Sequence, residues 1–264
     1  MSLFPSPKIA VMELFGVIGA PSRTVEQLRL LQSLRENETI RSVIIDIDSP
    51  GGTVAASDYL HRAVRKLAEK KPVVAFIRGT GASGGYMASC AATKIVALPT
   101  AMVGSIGVIS VRPLVYELLD KIGVRMSVTK SGRLKDMWSA FREPTEEEKE
   151  KEQALLDEFY ERFIQVVAEG RKLPPDEVRA YATGEVFTAV RGKEMRLVDE
   201  LGDLDTAIDM AAELGKTPRK IRYFRPKRNL RSLLMSRLAS ALVEEVSVKL
   251  EQSLRPRIDY RRLR

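Results

Sequence analysis

"VVAFIRGTGASGGYM", residues 73–87, runs from an unbroken apolar stretch through a glycine turn toward a helix. Val73 to Ile77 are apolar at every position, the pattern of a strand covered on both faces. Gly79, Gly81 and Gly84 then spell G-x-G-x-x-G, with Ser83 between small neighbours. Two chemistries suit such a turn: cradling of a dinucleotide, or presentation of Ser83 as a nucleophile. A dinucleotide fingerprint needs a carboxylate about 20 residues further on, to hold the ribose hydroxyls. No Asp or Glu occurs between Glu69 and Glu117, and the turn follows at least the third strand of the chain. The nucleophile reading is the better supported.

Working outward, "KIAVMEL" (8–14) and "SVIIDI" (42–47) read as strands. Residues 24–37, opened by Thr24 and Gln27 at capping-box spacing, read as a helix, and so does 53–70. Beyond the turn, 84–92 suits a short helix and "KIVAL" (94–98) a strand. Alternation at these spacings predicts an α/β fold with right-handed crossovers and a parallel sheet. "GSIGVIS" (104–110) and "RMSVT" (125–129) read as shorter strands flanking a helix at 113–123. Thr145 and Glu148 open a long helix to about residue 169; its stripe of Leu155, Leu156, Phe159, Phe163, Val166 and Val167 reads as packing. Helices at 174–182, 190–196 and 204–214 follow, and "RKIRYF" (219–224) suits a closing strand.

A chain of 264 residues carries a formal charge of +8, but the charge is unevenly placed. After residue 215 there are 15 basic and four acidic residues, net +11, which leaves −3 on the remainder. The basicity therefore belongs to a C-terminal extension, 216–264, and does not indicate nucleic-acid binding by the site. Within it, Leu230, Leu234, Leu238, Leu242, Val246, Leu250 and Leu254 recur every four residues. They predict an amphipathic helix over 229–254, suited to an anionic membrane surface or to a neighbouring subunit. No stretch reaches 18 uninterrupted apolar residues, and the N-terminus lacks a basic segment followed by a long apolar one. The expectation is a soluble chain without anchor or signal peptide, cytoplasmic or peripherally associated with a membrane.

Cys90 is the single cysteine and His61 the single histidine, so no internal disulfide and no ordinary zinc site are expected. His61 falls in a helix whose Leu60, Val64 and Leu67 point inward, and reads as a solvated position. That leaves Ser83 without an imidazole base. "SPGG" at 49–52 ends the preceding buried strand, so Gly51 or Gly52 could supply a second amide beside that of Gly84 for an oxyanion hole. For the base, lysine remains, provided burial keeps it neutral. Lys130 and Lys135 are both candidates.

Taken together, "IDSPGG", "GTGASGGYMAS", "GSIGVIS", "KSGRLKD" and "LVDELGDLDTAI" resemble, in order and spacing, the signal peptide peptidase A family, the Ser-Lys proteases of the Clp/crotonase fold. The resemblance covers residues 8 to about 215. It implies a Clp/crotonase-like core of repeated ββα-type units over 1–215 and Ser83 as nucleophile. It further implies Lys135 as general base, Ser105 orienting the lysine ammonium, and the amides of Gly52 and Gly84 as the oxyanion hole. Lys130 becomes a bystander. The family also implies a dome-shaped octamer or related ring, in which the serine of one subunit meets the lysine of its neighbour. Peptide substrates such as remnant signal peptides follow, and no cofactor. From residue size, Gly51, Ala82, Met87, Met102 and Val103 would line shallow pockets for small or aliphatic side chains. Ala189 and Arg196 stand where glycines are common in the family. Two other readings remain: a crotonase-type acyl-CoA hydratase or isomerase, which would need carboxylates at the cleft, and a catalytically silent membrane-surface scaffold.

Overall fold

The computed structural model describes residues 8–19 and 21–225. The amphipathic helix expected over 229–254, the tail and the first seven residues lie outside the described residues. The order of elements is β1 (Ile9–Phe15), α1 (Pro21–Glu36), β2 (Ser42–Ser49), α2 (Val54–Ala68), β3 (Val73–Ala82), α3 (Gly84–Ser89), β4 (Lys94–Ala97), β5 (Met102–Gly104), α4 (Tyr116–Lys121), α5 (Glu146–Arg171), α6 (Pro175–Tyr181), β6 (Val186–Thr188), α7 (Ala189–Glu194), β7 (Glu200–Leu201), α8 (Leu204–Leu214) and β8 (Ile221–Phe224). The sheet runs β6-β5-β3-β2-β1-β8, with β4 paired to β3 and to β7. Every pairing is parallel except β5 with β6. Because β8 pairs with β1, the sheet continues past residue 215 to Phe224.

The unbroken apolar runs are explained by burial on both faces. Along β1, β2 and β3, Ala10, Met12, Val43, Ile45, Val73 and Ala75 face a large core shared with Leu31, Leu60, Val64, Tyr86 and Phe163. Their neighbours Ile9, Val11, Ile44, Val74 and Phe76 face a second core beneath Ala207, Ile208 and Ala211 of α8. A strand covered by helices on both sides has no solvated face to show as polar alternation. Asp46 interrupts the run in β2, and although buried it is matched by Arg78, whose Nε lies 2.8 Å from its carboxylate.

Three local expectations are corrected. The first helix begins at Pro21, a residue suited to a first helical position, so Thr24 and Gln27 lie within the helix and are buried rather than forming its cap. The strand expected over 104–110 ends at Gly104, because Gly104 and Ser105 take φ of 98° and 49° and turn the chain out of the sheet. No strand forms over 125–129, where those residues are exposed and have no partner strand. The capping box of α5 is present as expected, with Thr145 Oγ1 accepting from Glu148 N at 3.3 Å and Glu148 Oε2 accepting from Thr145 N at 2.9 Å. Arg196 takes φ of 61°, so it keeps a left-handed backbone of the kind that favours glycine.

Candidate active site

Ser83 sits between the end of β3 and the start of α3, and the chain there is bent sharply. Between Ile47 and Ser49 of β2 the pairing with β3 shifts, so that Asp48 faces the stretch Arg78–Thr80. Two of the fingerprint glycines serve this irregularity: a β-carbon on Gly79 would lie 2.7 Å from Asp48 Oδ1, and one on Gly81 2.7 Å from Ile77 Cδ1. They are spacers for a bulge, which accounts for G-x-G-x-x-G without a phosphate. Ser83 follows with φ 49° and ψ −122°, a conformation that costs a non-glycine residue of the order of 1–3 kcal/mol and is concentrated at functional sites. The strain is held from both sides: Ser83 N donates to Gly104 O at 2.9 Å, and Met87 N donates to Ser83 O at 2.8 Å.

The second glycine turn packs directly on the first. Ser49 Oγ donates to Gly16 O at 2.7 Å and accepts from Gly51 N at 3.1 Å, fixing the exit from β2. Gly51, at φ 94°, lies so close that a β-carbon there would be 2.8 Å from Ser83 Cβ and 2.5 Å from Gly84 N. Ile18 clamps the turn through Ile18 N to Gly51 O at 2.8 Å and Thr53 N to Ile18 O at 2.9 Å. No hydrogen bond among the described residues uses the amides of Gly52 or Gly84, or Ser83 Oγ.

These groups border a cleft of about 630 Å³ that also takes in Ser57, Met87 and Ser105. Ser105, at φ 49°, is held by its amide donating to Glu185 O at 2.7 Å. The opposite wall is α5, contributing Gln153, Leu156, Asp157, Phe159, Tyr160 and Phe163, and Tyr160 ties it to the neighbouring loop by donating to Ala182 O at 2.8 Å. Part of the apolar stripe read as packing is therefore cleft wall: Val166 and Val167 are core, Leu156 and Phe159 line the opening, and the buried Phe163 joins the two. Their spacing was the available signal, but spacing does not tell a helix covered along its length from one left bare at one end. Asp157, exposed and accepting from Gln153 Nε2 at 2.7 Å, brings a carboxylate to a cleft whose nearest sequence is acid-free.

The Peptidase family S49 model matches residues 65–217, and a Clp protease model matches 19–104. The Methanocaldococcus jannaschii protein MJ0651 is 39% identical over 71% of this chain and 60% of its own length. The chain belongs to peptidase family S49. Chloroplastic serine protease SPPA of Arabidopsis thaliana is 34% identical over 77% of this chain and 31% of its own. Protease 4 of Salmonella typhi is 36% identical over 76% and 32%. The chain thus spans 60% of the first of these relatives and about a third of the other two. Among solved structures, a membrane-bound stomatin-specific protease aligns with TM-score 0.55 at 14% identity, over 85% of this chain and 100% of its own. ClpP1 of Listeria monocytogenes aligns with TM-score 0.51 at 17% identity, over 75% and 93%. The fold is the Clp protease-like α/β fold, its sheet mixed but mostly parallel.

Within this S49 protomer the sequence-derived site residues fall into two groups. Gly52, Ser83, Gly84, Met87 and Ser105 share the cleft, and Gly51 abuts Ser83. Ala82 and Val103 are buried beside them in paired β3 and β5, and Met102 is exposed on β5; none of the three is among the cleft-lining residues. Lys135 is exposed in the turn-rich segment 131–138 and does not line the cleft either. Lys130 instead pairs with Asp136, whose carboxyl is held below the usual range by Arg142 first and Lys130 second.

His61 is not solvated. It is 3% exposed, with Nδ1 donating to Met87 O at 3.0 Å and Nε2 buried without a partner, so it supports α3 from behind and offers no base to Ser83. Burial, opposed by the Met87 hydrogen bond, lowers its pKa below 6.5. A histidine with a depressed folded pKa is protonated more readily in the unfolded chain. Its contribution is complete above pH 6.5 and declines as the pH falls below it. Unfolding free energy from urea titrations should fall by up to about 1.4 kcal/mol per pH unit below that point through His61 alone. His61→Asn should flatten this component, and equal slopes for both proteins would refute it.

Proposed function

We propose that this chain is a serine endopeptidase that cleaves extended, largely apolar peptides, remnant signal peptides among them, through an acyl-enzyme. Ser83 is the nucleophile. The observation carrying this reading is the Ser83 turn itself: a strained serine at a cleft, with the unengaged amides of Gly52 and Gly84 beside it. Those amides suit the oxyanion that forms when Ser83 Oγ attacks a peptide carbonyl. Neutral Lys135 removes the hydroxyl proton, delivers it to the departing amine, and then activates water for deacylation, while Ser105 orients the amine.

A lysine serves as base only when burial keeps it uncharged. Lys135 is exposed in the single protomer, and the segment around it carries bare apolar side chains, including Ile109 and Val111 at 83% and Trp138 at 56% exposure. Both facts support completion of the site by a second copy, in an octamer or related ring. Such an interface would cover the apolar segment and desolvate the amine together. Membership of S49, with its protease-named relatives, supports peptide hydrolysis over hydratase chemistry. The apolar wall of Leu156, Phe159 and Phe163 supports apolar substrates, with Met87 beside the nucleophile.

A fluorophosphonate probe tests the central claim, since it reacts only with an activated serine. Wild-type protein should be labelled on Ser83, and Ser83→Ala should not be labelled. An unlabelled wild-type assembly would leave a silent scaffold as the better reading.

A further inference from the structure

The end of the sheet opposite Ser83 carries a second concave feature. A groove of about 740 Å³ is lined by residues from the end of α1 and the loop after it (within 35–41), the turn between α2 and β3 (70–72), and the end of α8 with the two residues that follow (214–216). Five cationic residues from these three segments border it, Arg35, Arg41, Lys70, Lys71 and Lys216, against the carboxylates of Glu36 and Glu38. Arg35 and Glu36 are 3.3 Å apart. Four of the five, all but Lys216, stand in the part of the chain that is net negative, so they are a local concentration of charge and not a reflection of the basic extension.

Two buried side-chain polar atoms without hydrogen-bond partners belong to the groove lining or lie directly against it. Arg35 Nε is one and Ser42 Oγ is the other; the described residues hold only two more, His61 Nε2 and Tyr181 Oη. Ser42 follows Arg41, and a β-carbon on Gly215, which lines the groove, would lie 2.9 Å from Ser42 Oγ. Buried donors are rarely left unmet in folded proteins, and an ion or water is a common reason for an orphan. Lys71 gives two of its three N–H donors to the carbonyls of Leu34 and Asn37, each at 2.9 Å, and keeps one. Burial first, then Lys70 and Arg41, lower the Lys71 pKa, with Glu38 opposing. A bound anion would relieve the repulsion.

We propose that this groove binds a phosphate-class anion, held by Arg35, Arg41, Lys70, Lys71 and Lys216 and by the free donors of Arg35 and Ser42. The site is separated from Ser83 by the length of β3, about 30 Å for a ten-residue strand. Its ligand is a compact, strongly anionic phosphate group, either of free phosphate or pyrophosphate or of a lipid headgroup.

The full chain should be titrated calorimetrically with inorganic pyrophosphate, and co-sedimented with phosphatidylcholine vesicles with and without phosphatidic acid. Arg41→Gln combined with Lys70→Gln removes two exposed groove cations without touching the core. Lys66→Gln combined with Lys151→Gln removes the same charge elsewhere. Saturable pyrophosphate binding, weakened about tenfold or more by the groove pair only, establishes a free-anion site. Binding seen only with phosphatidic acid, and with the same variant pattern, assigns the site to a lipid headgroup. If neither probe distinguishes the groove pair from the control pair, the proposal is overturned. The C-terminal extension is present in every protein, so its charge cancels from the comparison.

Discussion

Ser83→Ala and Lys135→Ala should each lower peptide turnover by about 10⁴-fold or more, while Lys130→Ala stays close to wild type. The first two remove the proposed nucleophile and its base, which act as one unit, so loss of either leaves only binding and the amide donors. Lys130 is engaged by Asp136 and has no part in the step. Equal amounts of the two inactive proteins, mixed and allowed to exchange subunits, should then recover activity. If each site takes its serine from one copy and its lysine from the next, each group is intact with even odds. About a quarter of the sites in a random ring are then complete. A site built within one subunit gives no complete sites under any mixing. No recovery, with exchange verified by mass, would remove the shared site. Loss of activity in Lys130→Ala with retention in Lys135→Ala would reverse the assignment of the base.

Gly84→Ala should cost turnover about 100-fold while leaving the amide in place. The added methyl would lie 2.0 Å from Ser57 Oγ and 2.8 Å from Ser57 Cβ. Ser57 cannot retreat easily: it is buried, and its hydroxyl donates to Thr53 O at 2.9 Å. The strain falls on the start of α3, which moves the Ser83 turn, and a shift of about 1 Å at a catalytic group costs roughly 10² in rate. Ser57→Gly in the same chain deletes both clashing atoms, and the next nearest, Gly51 Cα at 3.4 Å, is in ordinary contact with the new methyl. The double variant should regain most of the rate, although Ser57→Gly itself weakens α2 by about 0.5–1 kcal/mol. Wild-type turnover in Gly84→Ala, or no recovery in the double variant, would contradict this packing account. Thermal denaturation of each protein separates loss of rate from loss of fold.

Much of the site was legible because its determinants are local. Val73 to Ile77, the glycines that follow and the "SPGG" after β2 each mark a buried strand ending in a tight turn, and the structure stacks these two turns against each other. The Thr145 and Glu148 cap was legible for the same reason: both partners lie within one helical turn. The errors arose where a partner is remote. His61 stands between Leu60 and Arg62, a context that does not fix its burial, yet α3 covers it through the carbonyl of Met87, 26 positions away. The stripe on α5 has one period throughout, but the fold covers its far half and leaves Leu156 and Phe159 facing the cleft. The strand expected at 104–110 is turned out of the sheet by the left-handed backbone of Gly104 and Ser105, and that at 125–129 had suitable residues but no partner strand.

The amino-acid order by itself established the alternation of strands and helices, the two glycine turns, the single imidazole and single thiol, and the separation of a basic tail from an acidic body. Each depends on residue type or on contacts a few positions apart. Tertiary structure alone brought Gly51 against Ser83, α5 across the cleft and Asp157 to its rim, and left Lys135 outside it. Those relations join residues tens of positions apart in the chain, and they depend on which surfaces remain to be covered once every strand has found its neighbours.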